Sequence, residues 1–337
     1  MKKRILLLYG GESTEHAISI KSAFNVDATL TRERYEVIYC YICPKGRWWY
    51  VEEISDQPTR TIELLPIMGR SAVRLSNSEE MLHIDVMLPI LHGQNGEDGT
   101  VQGVAKMAHI PCVGPDTLGA AITMRKDVTK TLLKQANIEV ARWRVWHTHD
   151  DYPAFAQVKQ SLGVPFFIKP ASAGSSVGVS KVFLESEYTP ALRQAASHDN
   201  VVLLEEAIKG REIEVAVLGD NNIKTTVAGE IVSDGFYTFE QKYELTSQSE
   251  VIIPADLTTE VMDEVRQVSL GAYKATCCKG MARVDSFIAS DGRIVVNEIN
   301  SIPGFTDTSM YPKLWKYEGV SQTQLLEQLI EIALKRQ

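Results

Sequence analysis

The sequence lacks any apolar run long enough to cross a membrane. A spanning helix needs about 20 predominantly apolar residues, whereas the apolar run after the basic residues 2–4 covers only residues 5–9 and stops at Gly10 and Gly11. That run is also too short for the apolar region of a secretory signal. We therefore expect a cytoplasmic protein.

Positive charge is also in short supply. The chain has 35 Lys and Arg against 43 Asp and Glu, which gives a formal net charge of −8. Nucleic acids and anionic membranes attract surfaces with concentrated positive charge, and the sequence contains no such block. The expected partners are therefore small molecules, with neither nucleic acid nor membrane among them.

Cysteine is sparse, with five residues in a chain of 337. Cys40 and Cys43 belong to an apolar segment typical of a buried strand, in which alternation sends the two thiols to opposite faces. No second Cys or His pair follows at zinc-binding spacing. We interpret this pair, and likewise Cys277 and Cys278, as plain buried cysteines.

The first part of the chain alternates strands with helices. Strands are predicted at residues 4–9, 37–42 and 86–91. One helix should begin at Ser13 or Thr14, with Ala17, Ile20 and Phe24 on one face, and another covers residues 101–108. Such alternation predicts a parallel sheet with covered faces.

The rest of the chain predicts further domains, since 337 residues exceed one simple core. A helix at 124–133 and strands at 143–146 and 166–169 around a helix at 154–162 suit a small second domain. A mixed α+β domain follows, with strands at 213–218, 223–231, 280–288 and 293–300 and a helix at 261–273. Ser321 and Gln324 form a capping box for a last helix.

Four polar residues come together on a predicted hairpin. Strand alternation places Arg283 and Asp285 on one face of the first strand, and Glu298 and Asn300 on one face of the second. Two carboxylates and an amide oxygen suit Mg²⁺ shared with nucleotide phosphates, and an arginine beside them could stabilise an oxyanion. The alternative interpretation is a surface hairpin with polar faces.

Two other segments have the character of a nucleotide site. A strand delivers Lys169 to a loop of small residues, 171–178, whose backbone N–H groups could cover phosphates; the alternative is a flexible hairpin. The next strand ends in Glu205 and Glu206 and could place main-chain groups against an adenine edge, with Glu212 on ribose hydroxyls. Acids at a strand end are otherwise usually just solvated.

A glycine-rich turn at residues 92–99 follows a predicted parallel strand, at the edge of the sheet where ligands bind. The helix that begins near Thr100 offers N–H groups to an anion. His92 could be structural, but its place in so constrained a turn favours a function.

These residues resemble the two motifs of the D-alanine:D-alanine ligases. One motif comprises His92-Gly93 and residues 96–99, and the other runs from Arg283 through Asn300 to Pro303-Gly304. Residues 10–15 near the start and 310–312 near the end also match the family, so the resemblance spans essentially the whole chain.

The resemblance implies a three-domain ATP-grasp fold, α/β and α+β in class, with ATP between the central and C-terminal domains. The expected domains are an N-terminal parallel-sheet, Rossmann-like substrate-binding domain at residues 1–122, a central ATP-grasp subdomain at 123–207 and a C-terminal ATP-grasp domain at 208–337. The last would carry the metal site and a lid loop at about 233–248, which would keep water from a reactive intermediate.

The resemblance also implies roles for individual residues. The expected catalytic residues are Glu15, Ser175, Tyr243 and Arg283, and the expected D-alanine-binding residues are His92, Ser309 and Met310. ATP contacts are expected from Lys126, Lys169, Ser176, Glu205, Glu206, Ala207, Ile208, Glu212 and Lys242. Two Mg²⁺ ions, which Mn²⁺ could replace, are expected on Asp285, Glu298 and Asn300.

The implied reaction joins two D-alanine molecules at the expense of ATP, for peptidoglycan precursor synthesis. A carboxylate is a poor electrophile until phosphorylation supplies a leaving group, so a D-alanyl phosphate would form first. The second amine would then attack it, with Arg283 stabilising the tetrahedral species. The family expectation is a homodimer.

Two positions bear on the choice of second substrate. Related ligases make D-alanyl-D-lactate or D-alanyl-D-serine and differ at the lid and near the second subsite, where Tyr243 and Met310 favour D-alanine.

Ser286 departs from the family motif, which usually has an apolar residue directly after Asp285. The predicted metal ligands are unaffected by this departure.

Two other protein classes fit parts of the sequence. A regulatory ATP-binding protein with the same shell would be favoured by loss of a metal ligand or of Arg283, and none is missing. A dinucleotide-dependent oxidoreductase would suit the opening strand, glycines and helix, but residues 10–13 lack the G-x-G-x-x-G spacing.

Overall fold

The computed structural model describes residues 2–232 and 250–336, and within these ranges the chain forms three β-sheets with helices packed against them. The expected mixed α/β and α+β class is confirmed. The predicted lid loop, with Lys242 and Tyr243, lies outside the described residues.

The first sheet is parallel at its centre and antiparallel at one side. It comprises β1 (Lys3–Gly10), β2 (Tyr35–Ile42), β3 (Trp48–Val51), β4 (Ile62–Ile67), β5 (Ala72–Leu75), β6 (Met81–His83) and β7 (Val86–Ile90). β1 lies parallel to β2 and β7, and β3 to β6 extend the β2 edge. The parallel strands were predicted, but β3 to β6 are short and mixed in polarity and were missed.

Alternation along β1 divides the core of this sheet into two layers. Ile5, Leu7 and Tyr9 face α1 (His16–Thr29), and Leu6 and Leu8 face α2 (Thr100–Ala108). Both faces of the central strand are therefore covered by helices, as the sequence predicted.

The start of α1 and the face it buries differ from the prediction. The helix begins at His16, and its N-cap is Glu15, which makes no side-chain capping bond. Ile20 is buried, but Phe24 is 44% exposed because the buried stripe passes through Ala23 instead. Neither Ser13 nor Thr14 caps the helix, so that prediction was wrong.

The second sheet is antiparallel, with the order β10-β9-β11-β8 in the strands β8 (Trp143–His147), β9 (Phe166–Pro170), β10 (Ser180–Val182) and β11 (Val201–Glu206). Four helices precede or accompany it: α3 (Thr117–Met124), α4 (Lys126–Gln135), α5 (Phe155–Leu162) and α6 (Glu185–Ala196). The helix predicted from residue 124 begins instead at Lys126, because Arg125 has an extended ψ of 92° that separates α3 from α4.

The third sheet is antiparallel as well, with the order β14-β13-β12-β15-β16 in the strands β12 (Gly210–Leu218), β13 (Lys224–Val232), β14 (Glu250–Ile252), β15 (Met281–Ala289) and β16 (Ile294–Asn300). α7 (Thr259–Ala275) packs on one face through Val265, Ala272 and Tyr273. The predicted strands and helix of this region are confirmed to within a few residues.

Two C-terminal helices, α8 (Met310–Tyr317) and α9 (Gln322–Leu334), return to the first sheet. Leu325, Leu326, Leu329 and Ile330 share a core with residues of β1. The capping box is confirmed, since Ser321 and Gln324 exchange bonds of 2.9 and 3.2 Å between side chain and backbone N–H. The chain's last helix thus stabilises its first sheet, and the boundaries at residues 122 and 207 stay predictions.

The cysteines are free, as expected. Cys40 and Cys43 are buried in the two opposite core layers of the first sheet. Cys278 is buried too, but Cys277 is exposed, because it occupies a turn with a φ of 55° after α7. The prediction of a buried Cys277 was wrong.

Among the described helices, none combines the length and apolar character of a membrane span.

Candidate active site

Glu15, at the start of α1, is enclosed by two loops from other parts of the chain. Its carboxylate accepts a hydrogen bond from the Ser175 hydroxyl. A Cβ atom added to Gly93 or Gly174 would lie only 2.9 or 3.1 Å from Glu15 Oε2, so a side chain at either position would displace the Glu15 carboxylate. The structure therefore brings together Glu15 and Ser175, as predicted.

His92 follows β7 and is buried beside the same loop. Its carbonyl accepts a 2.6 Å bond from the Ser13 hydroxyl, and its Nε2 lies 3.3 Å from Ser22 Oγ. Burial lowers the pKa of His92 and favours the neutral ring.

The N-terminus of α2 is capped by the chain itself. Asp98 accepts bonds from the backbone N–H groups of Asn95 and Thr100, at 2.8 and 3.0 Å. The Thr100 N–H group is therefore bonded to Asp98, and anion binding by the other N–H groups at this helix start stays a prediction.

Glu97 is a further residue of this turn, and no role was predicted for it. Its two carboxylate oxygens accept bonds from Gly93 N at 2.8 Å and from Ile302 N at 3.2 Å. Burial, and then the charge of Glu15, raise the pKa of Glu97 to about 8. Glu97 thus joins the turn to the loop after β16, and its position inside a family motif was the available signal.

The four polar residues of the hairpin do converge. Arg283 lies opposite Asn300 and Asp285 opposite Glu298, with a register shift between Asp285 and Ser286. Arg283 donates to both oxygens of Asp285 at 2.7 Å, and Asn300 Nδ2 donates to Asp285 Oδ2 at 2.8 Å. The interpretation as a solvated surface hairpin is therefore wrong for this set.

Arg283 has a second acidic partner that the sequence analysis missed. Its Nε lies 2.9 Å from Oε2 of Glu214, which is 3% exposed on β12. Burial opposes the charged guanidinium, but the charges of Asp285 and Glu214 outweigh it and raise the pKa of Arg283. A permanent positive charge is thus fixed on this face of the sheet.

The oxygens of this hairpin suit a hard cation. Asp285 and Glu298 face each other across the strands, and Asn300 directs its NH₂ group to Asp285, which leaves the amide oxygen for another partner. Within residues 2–232 and 250–336, no three His, Cys, Asp or Glu side chains cluster as a metal site made of those types would. The predicted set of two carboxylates and one amide fits an ion that also takes oxygens from a substrate.

α4 approaches the hairpin through its first residue, Lys126. Lys126 Nζ donates to the carbonyl of Ala173 at 2.6 Å and lies 4.0 Å from Glu298 Oε2. In the same small-residue loop, Ser175 and Ser176 have φ angles of 49° and 59°, a left-handed conformation uncommon outside glycine. Lys126 therefore links the loop to Glu298 of the hairpin.

Lys169 and Glu205 form a buried pair between neighbouring strands. Lys169 Nζ donates to Glu205 Oε1 at 2.7 Å, and Lys130 Nζ of α4 lies 2.6 Å from Glu205 Oε2. Glu205 is 4% exposed, so it is not a solvated acid at a strand end. Lys130 was missed, although its spacing of four residues from Lys126 on a predicted helix was a signal.

The remaining residues expected at the nucleotide lie around the end of β11. The side chain of Glu206 turns to Arg142, accepting bonds from its Nε at 2.5 Å and its backbone N at 2.9 Å. Ala207 is partly buried, and Ile208 packs at the edge of a small apolar cluster. Glu212 lies on β12, between β13 and β15.

Ser309 and Met310 occupy the start of α8. Ser309 Oγ accepts a 3.0 Å bond from Thr306 N and so closes the turn before the helix. Met310 is 5% exposed in the core, and a Cβ atom on Gly229 would lie 2.8 Å from its sulfur. The structure thus places the Met310 side chain beneath β13.

Family models match both halves of this arrangement. One described as the D-ala D-ala ligase N-terminus matches residues 4–115, and one described as the D-ala D-ala ligase C-terminus matches residues 132–331. The chain belongs to the D-alanine–D-alanine ligase family. The resemblance and the ATP-grasp fold expected from the sequence motifs are confirmed.

Individual members of the D-alanine–D-alanine ligase family match over their full length. A D-alanine–D-alanine ligase of Oceanobacillus iheyensis is 42% identical over 352 residues, which cover 100% of this chain and 96% of that protein. The VanG D-Ala:D-Ser ligase of Enterococcus faecalis has a TM-score of 0.89 at 34% identity, covering 99% of this chain and 100% of that one. For the Bacillus anthracis D-alanine–D-alanine ligase complexed with ATP, the TM-score is 0.77 at 28% identity, with 99% and 98% covered.

Proposed function

We propose that the protein is an ATP-dependent ligase that joins two D-alanine molecules into D-alanyl-D-alanine, for peptidoglycan precursor synthesis. The observation that carries the proposal is the convergence of Arg283, Asp285, Glu298 and Asn300 on one face of a hairpin, with Lys126 4.0 Å from Glu298. A site with hard oxygen donors and fixed cations suits phosphoryl transfer followed by attack of an amine, a sequence that requires no side-chain nucleophile.

The nucleotide is held by cations and backbone groups. Lys126 and Lys169 flank the small-residue loop, so they can neutralise phosphate charge while the loop covers the phosphates. Ser176, residues 205–208, Glu212 and Lys242 are the proposed further contacts. Asp285, Glu298 and Asn300 would hold two Mg²⁺ ions, or Mn²⁺ in their place, and a divalent ion there supplies charge neutralisation for phosphoryl transfer.

The first D-alanine is bound by its ammonium group at Glu15. The Ser175 hydroxyl orients the Glu15 carboxylate, and the buried His92 ring is near enough for the charge of Glu15 to act on its pKa. Its carboxylate oxygen attacks the γ-phosphorus of ATP, the bond to the β–γ bridging oxygen breaks, and ADP leaves. The product is D-alanyl phosphate.

The second D-alanine attacks the carbonyl carbon of that acyl phosphate with its neutral amine. Arg283, whose charge is fixed by Asp285 and Glu214, faces the oxyanion that develops. Collapse releases phosphate and leaves the peptide bond, with one proton lost from the amine. Tyr243, Ser309 and Met310 are proposed to position the second substrate.

A second candidate function is the ligation of D-alanine to D-serine. The similarity to the VanG D-Ala:D-Ser ligase, with a TM-score of 0.89, supports it. The 42% identity to a D-alanine–D-alanine ligase over the whole chain favours the main proposal.

The test is the release of phosphate from ATP and Mg²⁺ with D-alanine, followed by mass analysis of the product. We expect phosphate release that requires D-alanine and one major product, D-alanyl-D-alanine, even with excess D-serine or D-lactate. Release independent of D-alanine would refute the ligase proposal, a dominant D-alanyl-D-serine product would replace it with the second candidate, and a dominant D-alanyl-D-lactate product would refute both.

Three further proposals concern the location of the protein, its assembly, and its lid and domains. A reaction that consumes ATP needs the compartment where ATP is made, so we place the protein in the cytoplasm. We also propose a symmetric homodimer, the commonest assembly of such enzymes, which light scattering of the purified chain would test. The lid at about 233–248 and the three domain ranges stay part of this proposal.

A further inference from the structure

Lys130 is buried although it carries a charge. It is 1% exposed on α4, one helical turn after Lys126, so both side chains project from the same face of the helix. Lys126 extends to the small-residue loop, whereas Lys130 ends beneath the second sheet. Burying an ammonium group is costly unless it is paired with an opposite charge. The burial of Lys130 therefore needs an explanation.

The partner of Lys130 is shared with a residue of the proposed nucleotide site. Oε2 of Glu205 lies 2.6 Å from Lys130 Nζ, and Oε1 accepts a 2.7 Å bond from Lys169 Nζ. The side chains of Lys130, Glu205 and Lys169 are 1%, 5% and 10% exposed, in that order. The three charges therefore form a row that leads from the interior toward the loop after β9.

The balance of charge in this row depends on Lys130. Lys169 and Glu205 alone would be a neutral pair, and a lysine neutralised in this way attracts phosphate weakly. Burial would raise the pKa of Glu205, but the charges of Lys130 and then Lys169 outweigh it and lower that pKa. Burial lowers the pKa of Lys130, and the charge of Glu205, 2.6 Å away, opposes that shift. With Lys130 protonated the row carries a net charge of one, and its most exposed member is Lys169.

We propose that Lys130 is a positioning residue of the nucleotide site, whose ammonium balances the Glu205 carboxylate and so leaves the charge of Lys169 available to the nucleotide phosphates. The inference rests on the proposed function, because it assumes that ATP binds beside Lys169. It adds a residue that cannot touch the nucleotide itself, since Lys130 is enclosed by protein.

The test compares the affinities for ATP and for adenosine, which lacks phosphates. Lys130→Met keeps a long unbranched side chain and removes the charge, and Lys134→Met removes an exposed lysine from the same helix as the control. We expect Lys130→Met to weaken ATP binding by about ten-fold or more and to raise the KM for ATP, with adenosine binding and the KM for D-alanine unchanged. Lys134→Met should match the parent chain in all four quantities.

Equal losses for ATP and adenosine would mean that Lys130 merely supports the fold of the site, and no loss would mean that its charge is irrelevant; either result overturns the inference. A parent chain that binds ATP but makes no dipeptide would instead refute the proposed function and leave this comparison valid.

A second variant guards against misfolding of Lys130→Met. In Lys130→Met/Glu205→Gln both charges of the inner pair are gone, while glutamine keeps an oxygen that can accept the bond from Lys169. The proposed contact of residue 205 with the adenine edge is made by its main chain, which this substitution leaves unchanged. ATP affinity should return to within about three-fold of the parent chain, because the row again has a net charge of one. A double variant as weak as Lys130→Met, or weaker, would contradict the charge argument.

Discussion

At the scale of single residues, Arg283 is enclosed by two acids. Asp285 is 2% exposed and Glu214 is 3% exposed, and both contact the guanidinium. Removing one partner from a buried charge group costs more than the pair contributes, because the charges left behind lose their solvation and their counter-charge. Arg283 therefore serves both the stability of the sheet and the proposed chemistry.

Arg283→Met should reduce kcat by about 10²–10³-fold, since it removes the donor proposed to face the developing oxyanion. It should also lower the free energy of unfolding by about 3–5 kcal/mol. Phosphate release and urea unfolding measure the two effects. Arg293→Met, in the turn of the same hairpin, is the control, because its exposed side chain pairs only with the exposed acids Asp291 and Glu139 among the described residues. Parental kcat in Arg283→Met would remove Arg283 from the mechanism.

Ser286 illustrates the opposite case, a buried polar group that stabilises nothing. It is 1% exposed beside the proposed metal ligand Asp285, and its hydroxyl has no hydrogen-bond partner among the described residues. Burying an unpaired hydroxyl is unfavourable. This is the position where the family motif usually has an apolar residue.

Ser286→Ala should raise the free energy of unfolding by about 1 kcal/mol, because it removes an unpaired hydroxyl and leaves only a small void. The matched variant is Ser19→Ala, at a buried serine whose oxygen accepts a 2.8 Å bond from Gly10 N. That change should destabilise the protein. Urea unfolding measures the change in the free energy of unfolding for both variants. A loss of stability in Ser286→Ala would mean that the Ser286 hydroxyl has a partner.

At the scale of elements, Glu97 holds the turn at residues 92–99 to the loop after β16 through its bonds to Gly93 and Ile302. Its pKa rises on folding from its ordinary value of 4.5 to about 8. A group whose pKa is raised in the folded state binds its proton more tightly there, so its contribution to stability falls as pH rises between those two values.

Glu97→Gln should therefore change stability in a pH-dependent way. Glutamine is neutral at every pH. The loss of one backbone hydrogen bond therefore changes the free energy of unfolding by the same amount at every pH. Relative to the parent chain, the free energy of unfolding of the variant should improve by roughly 3 kcal/mol between pH 5.5 and pH 8.5. Urea unfolding at both pH values measures this change. A difference that stays constant would show that Glu97 is ionised throughout.

At the scale of the whole molecule, Arg336, the last described residue, bonds directly to two distant segments and is linked to a third through Asp220. Arg336 donates to both oxygens of Asp220, at 2.7 and 2.9 Å, and to the carbonyls of Cys112 and Gly114, at 3.3 and 2.7 Å. Asp220 in turn accepts a 2.7 Å bond from Gly280 N. The end of the chain thus joins the first sheet to the third.

Arg336→Ala should lower the free energy of unfolding by about 2–4 kcal/mol, because a partly buried carboxylate and two carbonyls lose their donor. Lys335→Ala, at the adjacent residue, is the control. Thermal unfolding gives the measurement, and equal midpoints for the two variants would show that the contacts of Arg336 are not stabilising.

The sequence by itself determined what depends on local period and motif. Strand alternation placed Arg283 with Asp285 and Glu298 with Asn300, because side chains two residues apart on a strand share a face whatever the fold. Ser321 and Gln324 predicted a cap for the same reason. The family motifs supplied the fold class.

Only the tertiary structure decided which of these elements face one another. Glu15 and Ser175 are 160 residues apart, Glu97 and Ile302 are 205 apart, and Lys169 and Glu205 are 36 apart. A local pattern carries no information about such pairs, since the strand order and the path of each loop set them. Phe24 and Cys277 were misplaced for the same physical reason: burial is fixed by what packs against a residue, and neither its neighbours in sequence nor its own hydrophobicity specifies that partner.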